Sequence, residues 1–566
     1  MKYDDRPWLK HYEERLSSEI SVPDATYADL MQASFDDFAD RPAFHFLGVT
    51  KTFADLDTYS LRFANFLAEI GCGTGDVVGI SLPNIPQYMI AHAGALRAGC
   101  AATGVSPLLS AKEVIHQLND SGARVLVTLD TLFEQRFLKV QQKVPNITHV
   151  VVANVAEFFP GIKRVLGKLL KKIPSGKIVP VPGKTVVPFA EVLRTFLAKR
   201  IQTTVKLEDT CLIQYTGGTT GLPKGTVLTH RNLVTNMYQY MSWLGADVER
   251  GKETHCSGFP FFHLAGLGVC MVSMASGVTQ TLIPDPRNTK HICEEITRHR
   301  PTLMTNVPSL YQMLLETPEF RFLDFSSVKT CISGAAPFSV EAIQAFEAVV
   351  GEGKVLELYG MTEASPILTM NPHKGRKKIG SVGVPIQSTW LKIMDLEDGT
   401  REVPFGEEGE IIAHGPQIMK GYYNQPDETA HALRELQGRR WFYSGDIGKM
   451  DDDGYLYVVD RTKDMLIVGG FKVFSREAEE TLYEHPAVEY CAYVGVPNPE
   501  RPDSHRVKAV IQLASAYKGK DEKEVETEIV AFCRENMAPY KVPKIVQFVD
   551  QIPLTSVGKV DKKALR

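Results

Sequence analysis

Short runs of valine and isoleucine recur along the chain, each followed by a stretch of helix length, and this alternation restricts the fold more than any other feature. "DVVGISL" (76–82), "ARVLVTL" (123–129), "HVVVAN" (149–154) and "TLMTNV" (302–307) are near-continuous apolar runs, as expected of strands buried on both faces. Between them, stretches such as "PQYMIAHAGALRAG" (86–99) space their apolar residues for a helix. Strands alternating with helices predict α/β layers with mostly parallel sheets, and no internal repeat is evident. At 566 residues the chain exceeds what one core organises. Past residue 460 the texture changes to helix-like "SREAEETLYEH" and "KEVETEIVAFCRENM" among strand-like "YCAYVGV", "RVKAVIQLA" and "KIVQFVD". The expected division is a large N-terminal α/β domain, 1–460, and a small α+β C-terminal domain, 461–566.

Charge and cysteine content exclude several classes. With 63 basic and 67 acidic residues the formal charge is −4, so the basic excess of a nucleic-acid binder is missing. The nine cysteines are scattered without C-x-x-C spacing, which suggests neither a zinc site nor a disulfide framework and fits a reducing compartment. The charged start has no apolar core of signal-peptide length, and no apolar run is long enough to span a bilayer. A cytoplasmic protein is expected. One stretch, "FFPGIKRVLGKLLKKIPSGKIVPVPGK" (158–184), is basic and amphipathic. It suits either peripheral contact with an anionic membrane surface or packing on its own domain.

Chemistry-bearing motifs lie from residue 215 onward. "YTGGTTGLPKG" (215–225) has the glycines, hydroxyls and lysine of a phosphate-binding loop, and strand-like "TCLIQY" precedes it. It is not a Walker A motif, since Pro223 stands where glycine is required and Gly225 where the magnesium-binding hydroxyl belongs. In "ELYGMTEAS" (357–365), Tyr359 offers a flat face for adenine, Thr362 a donor for phosphate and Glu363 a hard oxygen ligand for Mg2+. "YSGDIG" (443–448) puts Asp446 on a glycine turn, suited to two ribose hydroxyls. Arg461 lies beside the domain boundary, and Lys559 follows a glycine near the C-terminus. Singly, Glu363 reads equally as a solvated carboxylate, Asp446 as a turn residue and Lys559 as a surface lysine.

In this order, "YTGGTTGLPKG", "ISGAAP" (332–337), "YGMTE", "YSGD", "DRTKDMLIVGG" and the terminal "GK" resemble the adenylate-forming acyl-CoA synthetases from about residue 25 onward. The segments 306–337 and 532–559 are most similar to the bacterial long-chain fatty-acid–CoA ligases, which carry a comparable basic insert. The resemblance implies an enzyme that activates a medium- to long-chain fatty acid with ATP and Mg2+ as acyl-adenylate, then passes the acyl group to coenzyme A. It also implies roles. Thr216, Gly217, Gly218, Thr219, Thr220 and Lys224 hold the β- and γ-phosphates; Glu363 binds Mg2+ and Thr362 a phosphate. Gly334, Ala335 and Ala336 face Glu357, Leu358, Tyr359 and Gly360 around adenine, while Asp446 and Arg461 take the ribose. Lys559 neutralises the meeting carboxylate and α-phosphate. A rotating C-terminal domain, hinged at Lys463, then exchanges Lys559 for Gly469 and Gly470 along the pantetheine arm. His263, Leu264, Gly266, Val307, Tyr311 and Ser333 line the acyl pocket. The pattern departs at Ser475, usually proline, which is expected to loosen the loop after Gly470, and at 497–509, a longer connection near the coenzyme A site. Alternatives are the same chemistry on an aromatic or short branched acid, a nucleotide or acyl-adenylate binder without turnover, and a phosphoryl-transfer NTPase. A homodimer remains open.

Overall fold

The computed structural model describes residues 2–159, 174–216, 223–462, 464–468, 471–497, 505–555 and 560–566. Its strands coincide with the apolar runs: Val77–Ser81, Val125–Leu129, His149–Ala153 and Leu303–Asn306 are almost entirely buried. The stretch after "LPNI" forms the helix Pro86–Arg97, opened by a proline whose missing N–H is not needed there. Apolar residues occupy most of that helix, and all its residues are buried, including Gln87, His92 and Arg97.

Two large sheets dominate residues 42–422. One has nine strands, with a parallel centre that includes Thr254–Ser257, Leu303–Asn306, Thr330–Ser333 and Val355–Gly360, and antiparallel strands at both ends. The other has eight, again parallel in the middle and closed at one side by the antiparallel hairpin Thr210–Thr216 with Lys224–Thr229. A third sheet of five strands, between Trp390 and Arg461, is antiparallel throughout and was not legible as a separate layer. Its last two strands, Arg439–Met450 and Leu456–Arg461, bring Asp446 opposite Arg461.

The helices Ser475–Tyr483 and Glu522–Asn536 pack with the three-stranded sheet of Val488–Pro497, His505–Leu513 and Ile545–Phe548. Leu466, Leu482, Tyr493, Ile511, Val525 and Ile529 fill the core between them. All nine cysteines are buried thiols outside any disulfide. Among the described residues no helix is long and apolar enough to cross a membrane, and no cluster of His, Cys, Asp or Glu could hold a metal by itself. Of the basic insert, 160–173 lies outside the described residues. Its flanks pack on the protein: the Phe158 ring meets Tyr59 at 5.6 Å, and the Lys177 amide donates to Glu134 at 3.0 Å.

Candidate active site

The glycine–threonine loop hangs on a hairpin. Thr216 pairs with Lys224 across the antiparallel strands, so the connection leaves and returns at one point of the sheet edge. The strand before it is anchored by Tyr215, whose hydroxyl donates to Asp120 at 2.6 Å. On the return side, His116 Nε2 donates to the Pro223 carbonyl at 2.8 Å. Gly217, Gly218, Thr219 and Thr220 lie outside the described residues. Lys224 forms an ion pair with Glu428, and its ammonium sits 5.2 Å from the ring centre of Tyr422.

Tyr422 reaches the second motif as well. Its hydroxyl donates to Glu363 Oε1 at 2.9 Å. Glu363 has its pKa raised, chiefly by burial; the charge of Asp446 adds to the rise and that of Arg461 opposes it. Asp446 in turn accepts from the Tyr359 hydroxyl at 2.8 Å and lies 3.3 Å from Arg461 Nε. Burial, then the Asp446 charge, push the Tyr359 phenol well above its ordinary value, so it remains a donor. Lys224, Tyr422, Glu363, Asp446, Arg461 and Tyr359 therefore form one connected group drawn from five strands and a turn.

The turn is sterically defined. Thr362 and Glu363 stand on the single helical turn Thr362–Ala364, between Gly360 and Ser365. A Cβ on Gly360 would lie 1.9 Å from the Pro366 carbonyl oxygen, so no other residue fits there without moving backbone. Thr362 is buried, and Ser365 takes a left-handed φ of 66° with its hydroxyl donating to the Gln417 carbonyl at 2.8 Å.

The facing wall comes from neighbouring parallel strands, at their carboxyl ends, where open α/β sheets place ligands. Ser333 ends one strand next to Asn306, and Val307 follows directly on that neighbour. The buried Ser333 hydroxyl has no partner among the described residues. Gly334 packs under Leu358, and Ala335 holds φ at 68°, a left-handed conformation disfavoured for alanine, with Ala335 and Ala336 partly exposed. Glu357 is spoken for elsewhere: Oε2 accepts from the Gly380 amide at 3.1 Å, and burial pushes its carboxyl up to about 8.

His263 caps the helix Leu264–Ser276, its Nδ1 accepting from the Ala265 amide at 3.3 Å. Leu264 is wholly buried, and Gly266 lies under the Pro260 carbonyl, where a Cβ would sit 2.3 Å from its oxygen. Tyr311 belongs to the core behind this wall. Its ring lies 4.4 Å from that of Phe346, and its hydroxyl donates to the Ile332 carbonyl at 2.9 Å. Lys463, Gly469, Gly470 and Lys559 lie outside the described residues. Leu554 and Val560, which flank Lys559 in the sequence, pair with each other.

Sequence reasoning missed Tyr422 and Glu428. "GYYNQPDET" reads as a strand end and a polar turn, and nothing local marks the tyrosine that joins two motifs about sixty positions and two hundred positions away.

The model of the AMP-binding enzyme family matches residues 31–423, and that of the AMP-binding enzyme C-terminal domain matches 477–559. The chain is 38% identical to a long-chain-fatty-acid–CoA ligase of Bacillus subtilis (strain 168), covering 99% of this chain and 97% of that protein. It is 34% identical, again over 99% and 97%, to a long-chain-fatty-acid–CoA ligase of Escherichia coli O6:H1. The crystal structure of the anthranilate CoA ligase AuaEII in complex with anthranoyl-AMP superposes with a TM-score of 0.82 at 25% identity, covering 100% of this chain and 98% of that one. With the motifs, the sheet arrangement and the full-length match in agreement, the chain belongs to the AMP-binding enzymes.

Proposed function

We propose that the protein ligates a medium- to long-chain fatty acid to coenzyme A through an acyl-adenylate, releasing AMP and pyrophosphate. One observation carries this: the residues suited to ribose, phosphate and metal, scattered from 224 to 461, converge on one connected group. Full-length similarity to fatty-acid–CoA ligases supports the choice of acid and thiol.

The chemistry follows from charge. A carboxylate is a poor acceptor for a thiol because its oxygen leaves badly, whereas AMP leaves readily. Asp446 accepts the ribose hydroxyls with Arg461 holding its carboxylate in place, and Tyr359 with the Gly334–Ala336 turn encloses adenine. Thr216 to Thr220 and Lys224 take the phosphates that depart as pyrophosphate. Glu363 fits a Mg2+ ligand, being a hard oxygen donor oriented by Tyr422; the ion would neutralise phosphate charge. Thr362 is assigned as a donor to a phosphate, Ser333 as part of the acyl pocket, and His263 as the neighbour of the acyl carboxylate. Lys559 is assigned the meeting carboxylate and α-phosphate, where its charge would stabilise the transition state. The domain division is 1–460 and 461–566, with Lys463 as hinge and Gly469 and Gly470 beside the pantetheine arm. A cytoplasmic location is part of this proposal, and the use of ATP and coenzyme A is compatible with it. Peripheral membrane contact through 158–184 is tested by liposome flotation with and without the insert; unchanged binding after deletion dismisses it.

Release of AMP from ATP, measured with coenzyme A and a ladder from acetate to oleate, is expected to peak at medium to long chains. Cleavage of ATP to ADP alone would overturn the proposal. The likeness to an anthranilate ligase favours a second reading, an aromatic acid, so benzoate and anthranilate belong in the same ladder.

A further inference from the structure

Ser475 was expected to loosen its surroundings, yet it is fully buried and held from two sides. Its hydroxyl donates to Asp460, 2.9 Å from Oδ2 and 3.2 Å from Oδ1. The same oxygen accepts from Lys562 Nζ at 2.6 Å. Asp460 belongs to the strand Leu456–Arg461 and is the immediate neighbour of Arg461, which pairs with Asp446 in the nucleotide group. Lys562 opens the short helix that ends the chain, three residues beyond Lys559. Its ammonium also pairs with Glu479 at 2.7 Å, and Glu479 accepts from the Tyr493 amide at 2.7 Å. The Arg476 amide adds a bond to Asp460 at 3.3 Å, while its guanidinium reaches the Val458 carbonyl.

A line of polar contacts therefore runs from the strand Leu456–Arg461, through one hydroxyl, to the helix Lys562–Leu565. Proline would suit the first position of the helix Ser475–Tyr483 and preset its backbone, but it has neither a hydroxyl to give Asp460 nor one to receive Lys562. Serine gives up that backbone restraint for a bridge between two charged groups, one on each side of the proposed domain boundary.

We infer that Ser475 is a positioning residue for the first half-reaction: by joining Asp460 to Lys562 it holds the helix Lys562–Leu565 against the strand that carries Arg461. The inference rests on the proposed adenylation chemistry. A catalytic group displaced by about an ångström loses much of its effect on a transition state, so a ten- to hundredfold fall, roughly, is expected in adenylate formation for Ser475→Ala and Ser475→Pro. Thioester formation from supplied acyl-adenylate and coenzyme A should stay within about twofold of wild type, and Ser475→Thr should restore adenylation. Lys562→Met should reproduce the loss, with the double variant falling no further, because both belong to one bridge.

The test is a pair of single-turnover assays, one per half-reaction, on the full chain, with melting temperature recorded for each variant. Selective loss of adenylation with rescue by threonine supports the inference. Equal rates in both half-reactions, or an equal fall in both alongside the melting temperature, overturns it. A wild type that forms no adenylate from any acid would instead strike the functional proposal beneath it.

Discussion

Removing the Tyr422 hydroxyl is the sharpest single perturbation of the site. In Tyr422→Phe the ring stays over Lys224, while Glu363 loses the donor 2.9 Å from Oε1. A hydrogen bond to a carboxylate contributes about 1.5 to 3 kcal/mol, and the lower end applies because neither side chain is fully enclosed. About 1.5 kcal/mol is roughly tenfold in an equilibrium constant. The apparent affinity for Mg2+ at fixed ATP should weaken by about that factor, read by calorimetric titration and by pyrophosphate release. Tyr422→Leu also removes the ring from Lys224, a contact of about 0.5 to 1 kcal/mol at a partly exposed site, so a further two- to fivefold loss, roughly, should appear in ATP binding. The two steps separate the hydroxyl from the ring. If Tyr422→Phe binds Mg2+ and ATP as the wild type does, Glu363 does not depend on this tyrosine and the reasoning fails.

Lys559→Ala should abolish most adenylate formation while leaving transfer from supplied acyl-adenylate to coenzyme A largely intact; equal loss in both assays would contradict the assigned role. Gly360→Ala should unfold at a lower temperature and lose activity, since a methyl 1.9 Å from the Pro366 oxygen forces backbone apart, at a cost of at least about 1 to 3 kcal/mol. A melting temperature equal to wild type would refute that geometry. Glu357 gives a pH signature. Its carboxyl titrates near 8 in the folded protein against 4.5 ordinarily, so between those values the unfolded chain sheds a proton that the folded one keeps. Stability should then fall as pH rises from about 4.5 to 8, by several kcal/mol at most, and level off beyond. Glu357→Gln should flatten that slope, and parallel melting profiles for the two proteins at pH 5 and 8 would dismiss the effect.

Much of the architecture followed from periodicity alone. Runs such as Val125–Leu129 are apolar at every position, and only a strand covered on both faces tolerates that, so the parallel centres of the two large sheets were legible. The helices and strands after residue 470 were equally visible, because each alternates apolar and polar residues at its own period. The antiparallel sheet between Trp390 and Arg461 was not, since its strands mix turns, charges and short apolar runs without a clean repeat. Among site residues, Tyr359, Glu363, Asp446 and Arg461 could be nominated from side-chain chemistry and motif order. Their hydrogen bonds could not.

The sequence by itself determined which strands are buried, where the C-terminal segment changes character, and which residues have the donors and charges that ATP and a carboxylate require. Those properties are local, set by side-chain type and spacing within a few residues. Tertiary structure alone decided that Tyr422 ties Glu363 to Lys224, that Tyr311 fills a core, and that Ser475 bridges Asp460 and Lys562. Each of these depends on atoms within about 3 to 5 Å of one another from segments far apart in the chain, and nothing in the intervening residues encodes that distance except the packing of the whole fold.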